Sequence, residues 1–140
     1  MNNPEEVINK IKSKGHRITK VRGLVAELFI NSSEPLTAQD LILGLEALGL
    51  KVNKTTVYRE LTFLLNTEIV KSIDFGDSVK RYELLQEKHH HHVICINCKK
   101  VEDVNLTMDL DKEESKISKE KKFKILNHSL EFFGLCANCR

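Results

Sequence analysis

Between His89 and Cys98 the chain gathers four imidazoles and two thiols, and near its end Cys136 and Cys139 repeat the spacing of Cys95 and Cys98. These four are all the cysteines in the sequence. Two residues between sulfurs let one tight turn present both thiolates to a single ion, and a tetrahedral zinc takes two such knuckles. Closed by four thiolates, the site has no open position and is structural. It would tie the start of the C-terminal half to its end, so chelation should loosen that whole half. Free thiols or redox chemistry are the alternatives. Two matched pairs in a chain without a signal peptide favour zinc.

The histidines call for a separate argument. On an extended segment, neighbouring side chains point to opposite faces, so His90 and His92 share one side while His89 and His91 share the other. One run can therefore seed two metal sites, each completed by groups from elsewhere. Glu83 and Asp103 are candidates for the first, and Asp111 and His128 for the second. Imidazole and carboxylate ligands suit Fe(II), Mn(II) or Zn(II), and hold them less tightly than four thiolates do. Exchangeable binding is the property of a sensor. The plain alternative is a polar loop with adventitious metal affinity.

These ligands need a scaffold, and 140 residues supply one ordinary domain or two small ones. Neither half has enough apolar chain to be comfortably stable alone, so zinc or self-association would help. A helix is expected over Glu5–Lys14, ended by Gly15. Thr19 caps a second, with Val21, Leu24, Val25, Leu28 and Phe29 at helical spacing. Thr37 and Asp40 form a capping box for a third, which ends at Gly49. Asn53 opens a fourth, whose apolar stripe is Val57, Leu61, Leu64 and Leu65. Off that stripe lie Thr55, Thr56, Tyr58, Arg59 and Thr62, side chains suited to phosphates and base edges.

Two strands, Ile69–Asp74 and Val79–Leu84, follow through a turn at Gly76-Asp77-Ser78. Helices followed by a β-hairpin make the pattern of a winged helix-turn-helix. The net charge of +2 does not select a partner. Its distribution is more informative: Lys10, Lys12, Lys14, Arg17, Lys20 and Arg22 fall within twenty residues that hold no acid. That stretch reads either as a solvated basic face or as a phosphate-binding patch.

The fold class is therefore α+β: a winged helix-turn-helix domain over 1–84, a hinge at 85–88, and a small α/β metal-binding domain over 89–140 with a four-cysteine zinc site. In that second part, strands are expected at His92–Ile96 and Lys100–Val104, an exposed helix at Asp109–Lys122, and a strand along Phe123–Gly134. No apolar run reaches membrane-spanning length, and the expected location is the cytoplasm.

Taken together, these residues resemble the ferric uptake regulator superfamily of metal-dependent repressors. The likeness is carried by Gly15-x-Arg17-x-Thr19-x-x-Arg22, by Thr56-Val57-Tyr58-Arg59, by His89–His92 leading into Cys95-x-x-Cys98, by Asn127-His128-Ser129-Leu130 and by the second knuckle. It implies that 89–140 is a small α/β dimerisation domain and that the homodimer binds A/T-rich palindromic DNA, with Thr56 on the DNA-binding helix, Tyr58 and Arg59 in the major groove and Arg17 at the minor groove or adjacent backbone. It also implies a regulatory site of Glu83, His90, His92 and Asp103, and a second site of His89, His91 and His128, with Asp111 as its candidate acid. Fe(II) is the favoured corepressor, with Mn(II) or Zn(II) as alternatives, beside a structural Zn(II).

Departures from the family pattern bear on the signal. Pro35 stands where many members place a histidine for the hinge site. No cysteine lies at Leu85, unlike many zinc sensors. Glu83 replaces the aspartate usual in peroxide sensors, and Lys99 the glycine usual in the first knuckle. A runner-up within the class is a peroxide sensor in which iron-driven oxidation of His90 or His92 releases DNA; readings of other kinds are a zinc-stabilised interaction module without metal-gated DNA binding, and a zinc enzyme. The last lacks a His-Glu-x-x-His motif or a nucleophile set beside a base, so neither catalytic residues nor a small-molecule substrate are expected.

Overall fold

The computed structural model describes residues 3–85 and 90–140. The chain divides into two compact units, Met1–Glu87 and Lys88–Arg140. The expected hinge at 85–88 lies, apart from Leu85, outside the described residues, as does His89.

The first unit begins with α1 (Pro4–Ser13), α2 (Lys20–Asn31), a two-residue strand β1 (Leu36–Thr37), α3 (Ala38–Ala47) and α4 (Lys54–Asn66). Each helix start is a local side-chain decision. Asn3, Thr19, Thr37 and Asn53 accept hydrogen bonds from the first-turn amides of α1, α2, α3 and α4. At α3 the box is complete, since the Asp40 carboxylate accepts in turn from the Thr37 amide. Such caps satisfy donors that the helix itself cannot, each contributing about 1 kcal/mol.

β2 (Val70–Asp74) and β3 (Lys80–Leu84) form the hairpin, and β1 adds to β3, giving the antiparallel order β1-β3-β2. β1 was not expected from the sequence. Its Leu36 pairs with Tyr82 and its Thr37 with Arg81, partners far apart along the chain that no local pattern announces. At the hairpin turn Gly76 takes a φ of 78°, and the Asp74 and Asp77 carboxylates accept from the amides of Gly76 and Val79.

The core of this unit is continuous. Ile11 from α1, Val25 and Phe29 from α2, Leu41 and Leu45 from α3, and Val57, Leu61 and Leu64 from α4 are buried together with Tyr82 and Leu84 of β3. Fully burying one such aliphatic side chain contributes about 1.5–3 kcal/mol. At Gly44 a β-carbon would lie 2.8 Å from Leu28, so glycine lets α3 approach α2.

The second unit contains β4 (His91–Cys95), β5 (Val101–Val104), α5 (Leu110–Lys121) and β6 (Glu131–Gly134), with sheet order β5-β4-β6. β4 pairs antiparallel with β5 and parallel with β6. The expected strand over Phe123–Gly134 is much shorter. Only its last four residues pair with β4, and residues 122–130 form an irregular connection. The partial alternation that suggested a strand does not mark a buried face, since Phe123 and Leu126 are both exposed.

Candidate metal centres and recognition helix

The two knuckles form at the ends of strands, where the chain must turn. Cys95 closes β4, and the turn to Cys98 is held by the Lys99 amide donating to the Cys95 carbonyl at 2.9 Å. The second knuckle follows β6, and there the amides of Cys139 and Arg140 both donate to the Cys136 carbonyl. Parallel pairing of β4 with β6 places Cys95 opposite Gly134 and so brings the knuckles together. The four ligand atoms of Cys95, Cys98, Cys136 and Cys139 lie within 4.8 Å of one another. Cys98 Sγ is 3.7 Å from Cys136 Sγ. A zinc tetrahedron with Zn–S bonds of about 2.3 Å has an S–S edge of about 3.8 Å, so this spacing fits the ion.

Hydrogen bonds to sulfur tune the group. Backbone amides, that of Cys136 foremost and then that of Cys98, draw the Cys95 thiol down to about 6. At Cys139 the Asn97 side-chain amide, 3.3 Å from its Sγ, favours the thiolate. The adjacent Cys136 thiol, burial, and the other two sulfurs outweigh it and push Cys139 up to about 11. Four sulfurs crowded together cannot all carry charge without a cation among them. That is the electrostatic signature of a site built for a metal.

Among the described histidines, His90 and His92 stand together and His91 turns to the other side of β4. The rings of His90 and His92 stand 4.8 Å apart at nearly a right angle. His92 is 3% exposed, and its Nε2 lies 3.7 Å from the carboxylate of Asp103, its register partner on β5. Glu83 belongs to the first unit, on β3 opposite Lys71, whose ammonium is 3.3 Å from its carboxylate. On the other side of β4, His91 is buried, its Nδ1 sits 3.1 Å from the Leu130 carbonyl, and its ring lies 5.5 Å from that of His128. His128 Nδ1 meets the carboxylate of Glu114. Asp111 lies in the first turn of α5, one turn before Glu114. Sequence reasoning missed Glu114, although residues three apart on a helix share a face and Asp111 was already in view.

The remaining candidates sit in the first unit. Tyr58 and Arg59 are exposed on α4, with the Lys54 ammonium 5.7 Å above the Tyr58 ring. Thr56 is engaged locally: its hydroxyl and its amide both donate to the Asn53 side chain, so its first task is the helix cap. Arg17 is exposed in the turn before α2. The basic stretch is only partly a free face. Lys10 donates to the Glu68 carbonyl and Lys14 to that of Thr67, so both ammonium groups sit at the C-terminal end of α4. Cations there meet orphan carbonyls and the negative end of the helix dipole.

The sequence profile described as the Ferric uptake regulator family matches residues 13–133. The chain belongs to that family. It is 33% identical to the ferric uptake regulation protein of Bacillus subtilis (strain 168) over 142 aligned positions, covering 99% of this chain and 95% of the relative. It is 32% identical to the peroxide operon regulator of the same organism over 135 positions, covering 96% and 92%. Its fold matches the solved structure of the Helicobacter pylori ferric uptake regulator with a TM-score of 0.79, at 22% identity, over 99% of this chain and 94% of that one. A ferric uptake regulator family member is a metal-responsive transcription regulator, and the winged-helix unit followed by a sheet with a four-cysteine cluster is this family's architecture. No described helix is long and apolar enough to cross a membrane.

Proposed function

We propose that this chain is an Fe(II)-responsive repressor that binds A/T-rich palindromic DNA as a homodimer in the cytoplasm. Glu83, His90, His92 and Asp103 hold the regulatory ion. Cys95, Cys98, Cys136 and Cys139 hold structural zinc. His91 and His128, with His89 and an acid from α5, make a second site. Both Asp111 and Glu114 are candidates for that acid, and the Glu114 contact with His128 favours Glu114.

The observation that carries the reading is the pairing of His92 with Asp103 beside His90, a mixed imidazole and carboxylate set apart from the thiolate cluster. Harder, exchangeable ligands suit a metal that comes and goes, while four thiolates suit one that stays. The regulatory ion supplies positive charge that draws acid and imidazole ligands together. Tyr58 and Arg59 on α4 would read the major groove, and Arg17 would contact the minor groove or the adjacent backbone.

The test is anaerobic binding of the zinc-loaded dimer to the DNA upstream of its own gene, titrated separately with Fe(II), Mn(II) and Zn(II). Tightening by about 5- to 150-fold is expected on addition of Fe(II), the ordinary range of a coupling between two sites. His90→Ala should remain a folded dimer and lose that response. Binding that is equally tight with and without any metal would sink the sensor reading.

A peroxide-sensing role is the second reading, supported by nearly equal identity to the peroxide operon regulator. Mass spectrometry of the iron form after peroxide treatment separates the two. An added oxygen on His90 or His92 marks a peroxide sensor, and unmodified histidines mark an iron sensor.

A further inference from the structure

One guanidinium touches both elements that the DNA-binding reading assigns to the duplex. Arg22, on α2, places Nε 3.0 Å from Glu60 Oε2 and Nη2 3.4 Å from Glu60 Oε1, so the carboxylate of α4 occupies its fork. Its remaining nitrogen, Nη1, donates to the backbone carbonyl of Arg17 at 3.1 Å. The Phe63 ring of α4 lies 3.6 Å from the guanidinium carbon, and His16 packs edge-on against the same ring at 4.7 Å. The Arg22 and Glu60 side chains are only 15% and 13% exposed. Arg17 and Arg59, by contrast, are exposed and stand beside these anchors in sequence.

We infer that Arg22 is a positioning residue: it sets the backbone at Arg17 and the roll of α4 from one point, so that the arginine beside α2 and the recognition helix meet DNA in fixed relation. The inference rests on the repressor reading above. Stability alone is a poor account of the arrangement. A partly buried ion pair gives back much of its attraction as desolvation, and apolar side chains of similar volume would hold α2 to α4 about as well. Such side chains could not also hold the carbonyl of Arg17. Lysine could not replace the fork either, because one ammonium lacks the planar donors that serve carboxylate and carbonyl together. Glu60 and Phe63 are three apart on α4, so the clamp grips one helix face, and Tyr58 lies off that face while Arg59 flanks it, one turn from Phe63.

A double-mutant cycle decides the matter. The full-length zinc-loaded protein, saturated with Mn(II), first selects a duplex from a random-sequence pool, and affinity for that duplex is then measured at several salt concentrations. Arg17→Ala should weaken binding by about tenfold and reduce the salt slope by about one. Arg22→Lys should do the same to the slope, although its charge is unchanged. In the Arg22→Lys background, Arg17→Ala should cost less than about twofold, because its contact has already been lost. Melting temperature and zinc content are followed in parallel. Should Arg22→Lys fail to fold, Glu60→Gln carries the same cycle.

A lowered melting temperature with a wild-type salt slope, or an undiminished tenfold cost of Arg17→Ala in the variant background, overturns the positioning role. A wild-type protein that selects no duplex overturns the repressor reading itself, and this inference with it.

Discussion

The two units solve the problem of stability in opposite ways. In the first, four helices and a sheet enclose a continuous aliphatic core. In the second, the described buried side chains are Ile94, Cys95, His91 and His92, and α5 buries none of its residues. Large apolar groups such as Val93, Ile96, Phe132 and Phe133 remain exposed there. A unit this small, with imidazoles and thiols where a core should be, would gain much of its stability from metal and from self-association. The difference teaches where sensitivity to metal can reside. Removal of an ion should be felt first in the stability of the second unit, where apolar burial is least.

The largest test of this contrast is Cys98→Ser. Structural zinc contributes apparent folding free energy on the order of 10 kcal/mol or more, and one missing thiolate opens the site. The second unit should lose its fold and the protein should become monomeric, while the helical signal of the first unit still melts cooperatively. Circular dichroism and sedimentation together report this. A normal zinc-bearing dimer would break the comparison at its root.

Leu61→Ala tests the opposite side. Leu61 is 1% exposed at the centre of the first core, and removing it should cost roughly 2–5 kcal/mol through lost burial and a residual cavity. The loss should appear in the denaturant midpoint of the helices while zinc content and dimer formation stay unchanged. Coupled loss of zinc would show that the units are not independent in stability.

How far the sequence disclosed this contrast depends on the range of the interactions involved. Caps at Thr19, Thr37 and Asn53 were legible because donor and acceptor lie within one turn. The zinc cluster was legible because its ligands form two local pairs of a single residue type. The clamp of Arg22 on Glu60 joins residues 38 positions apart, and no periodicity names the partner. Choosing between Asp111 and Glu114 required knowing which turn of α5 faces the connection that carries His128. That is a tertiary fact. The six-cation stretch looked uniform in composition, yet Lys10 and Lys14 face the end of α4.

Within the zinc cluster itself, the two knuckles differ in their protons. Cys95 loses its proton at about 6, whereas Cys139 keeps its own up to about 11. Zinc must displace whatever protons remain, so affinity rises with pH by one power of ten per unit for each proton released, about 1.4 kcal/mol per unit. Between about pH 7 and 9 Cys95 is already a thiolate in the metal-free chain and releases none, while Cys139 releases one. Cys139→Ala should therefore flatten the pH dependence of zinc affinity by one proton in that window. Cys95→Ala should lower affinity but flatten the slope less, although the Cys95 sulfur helps to hold the proton on Cys139. Competition against a chelator across this range measures both, and equal slopes in the two variants would show that the knuckles are electrostatically alike.

The smallest expected effect concerns the backbone of those turns. In the first unit the left-handed turns at Gly15, Gly49 and Gly76 use glycine, with Glu68 the exception among the described residues. The second unit instead holds Lys99 at a φ of 65° and Lys122 at 56°. A side chain in that region costs roughly 1–2 kcal/mol, part of which glycine returns through its greater freedom when unfolded. Lys99→Gly should therefore stabilise the zinc-bound second unit by less than about 1 kcal/mol. If metal–thiolate bonds dominate the knuckle, as the contrast between the units requires, zinc affinity should stay within about twofold of wild type. A tenfold gain in zinc affinity would mean that backbone strain, and not ligand chemistry, limits how tightly this half of the molecule closes.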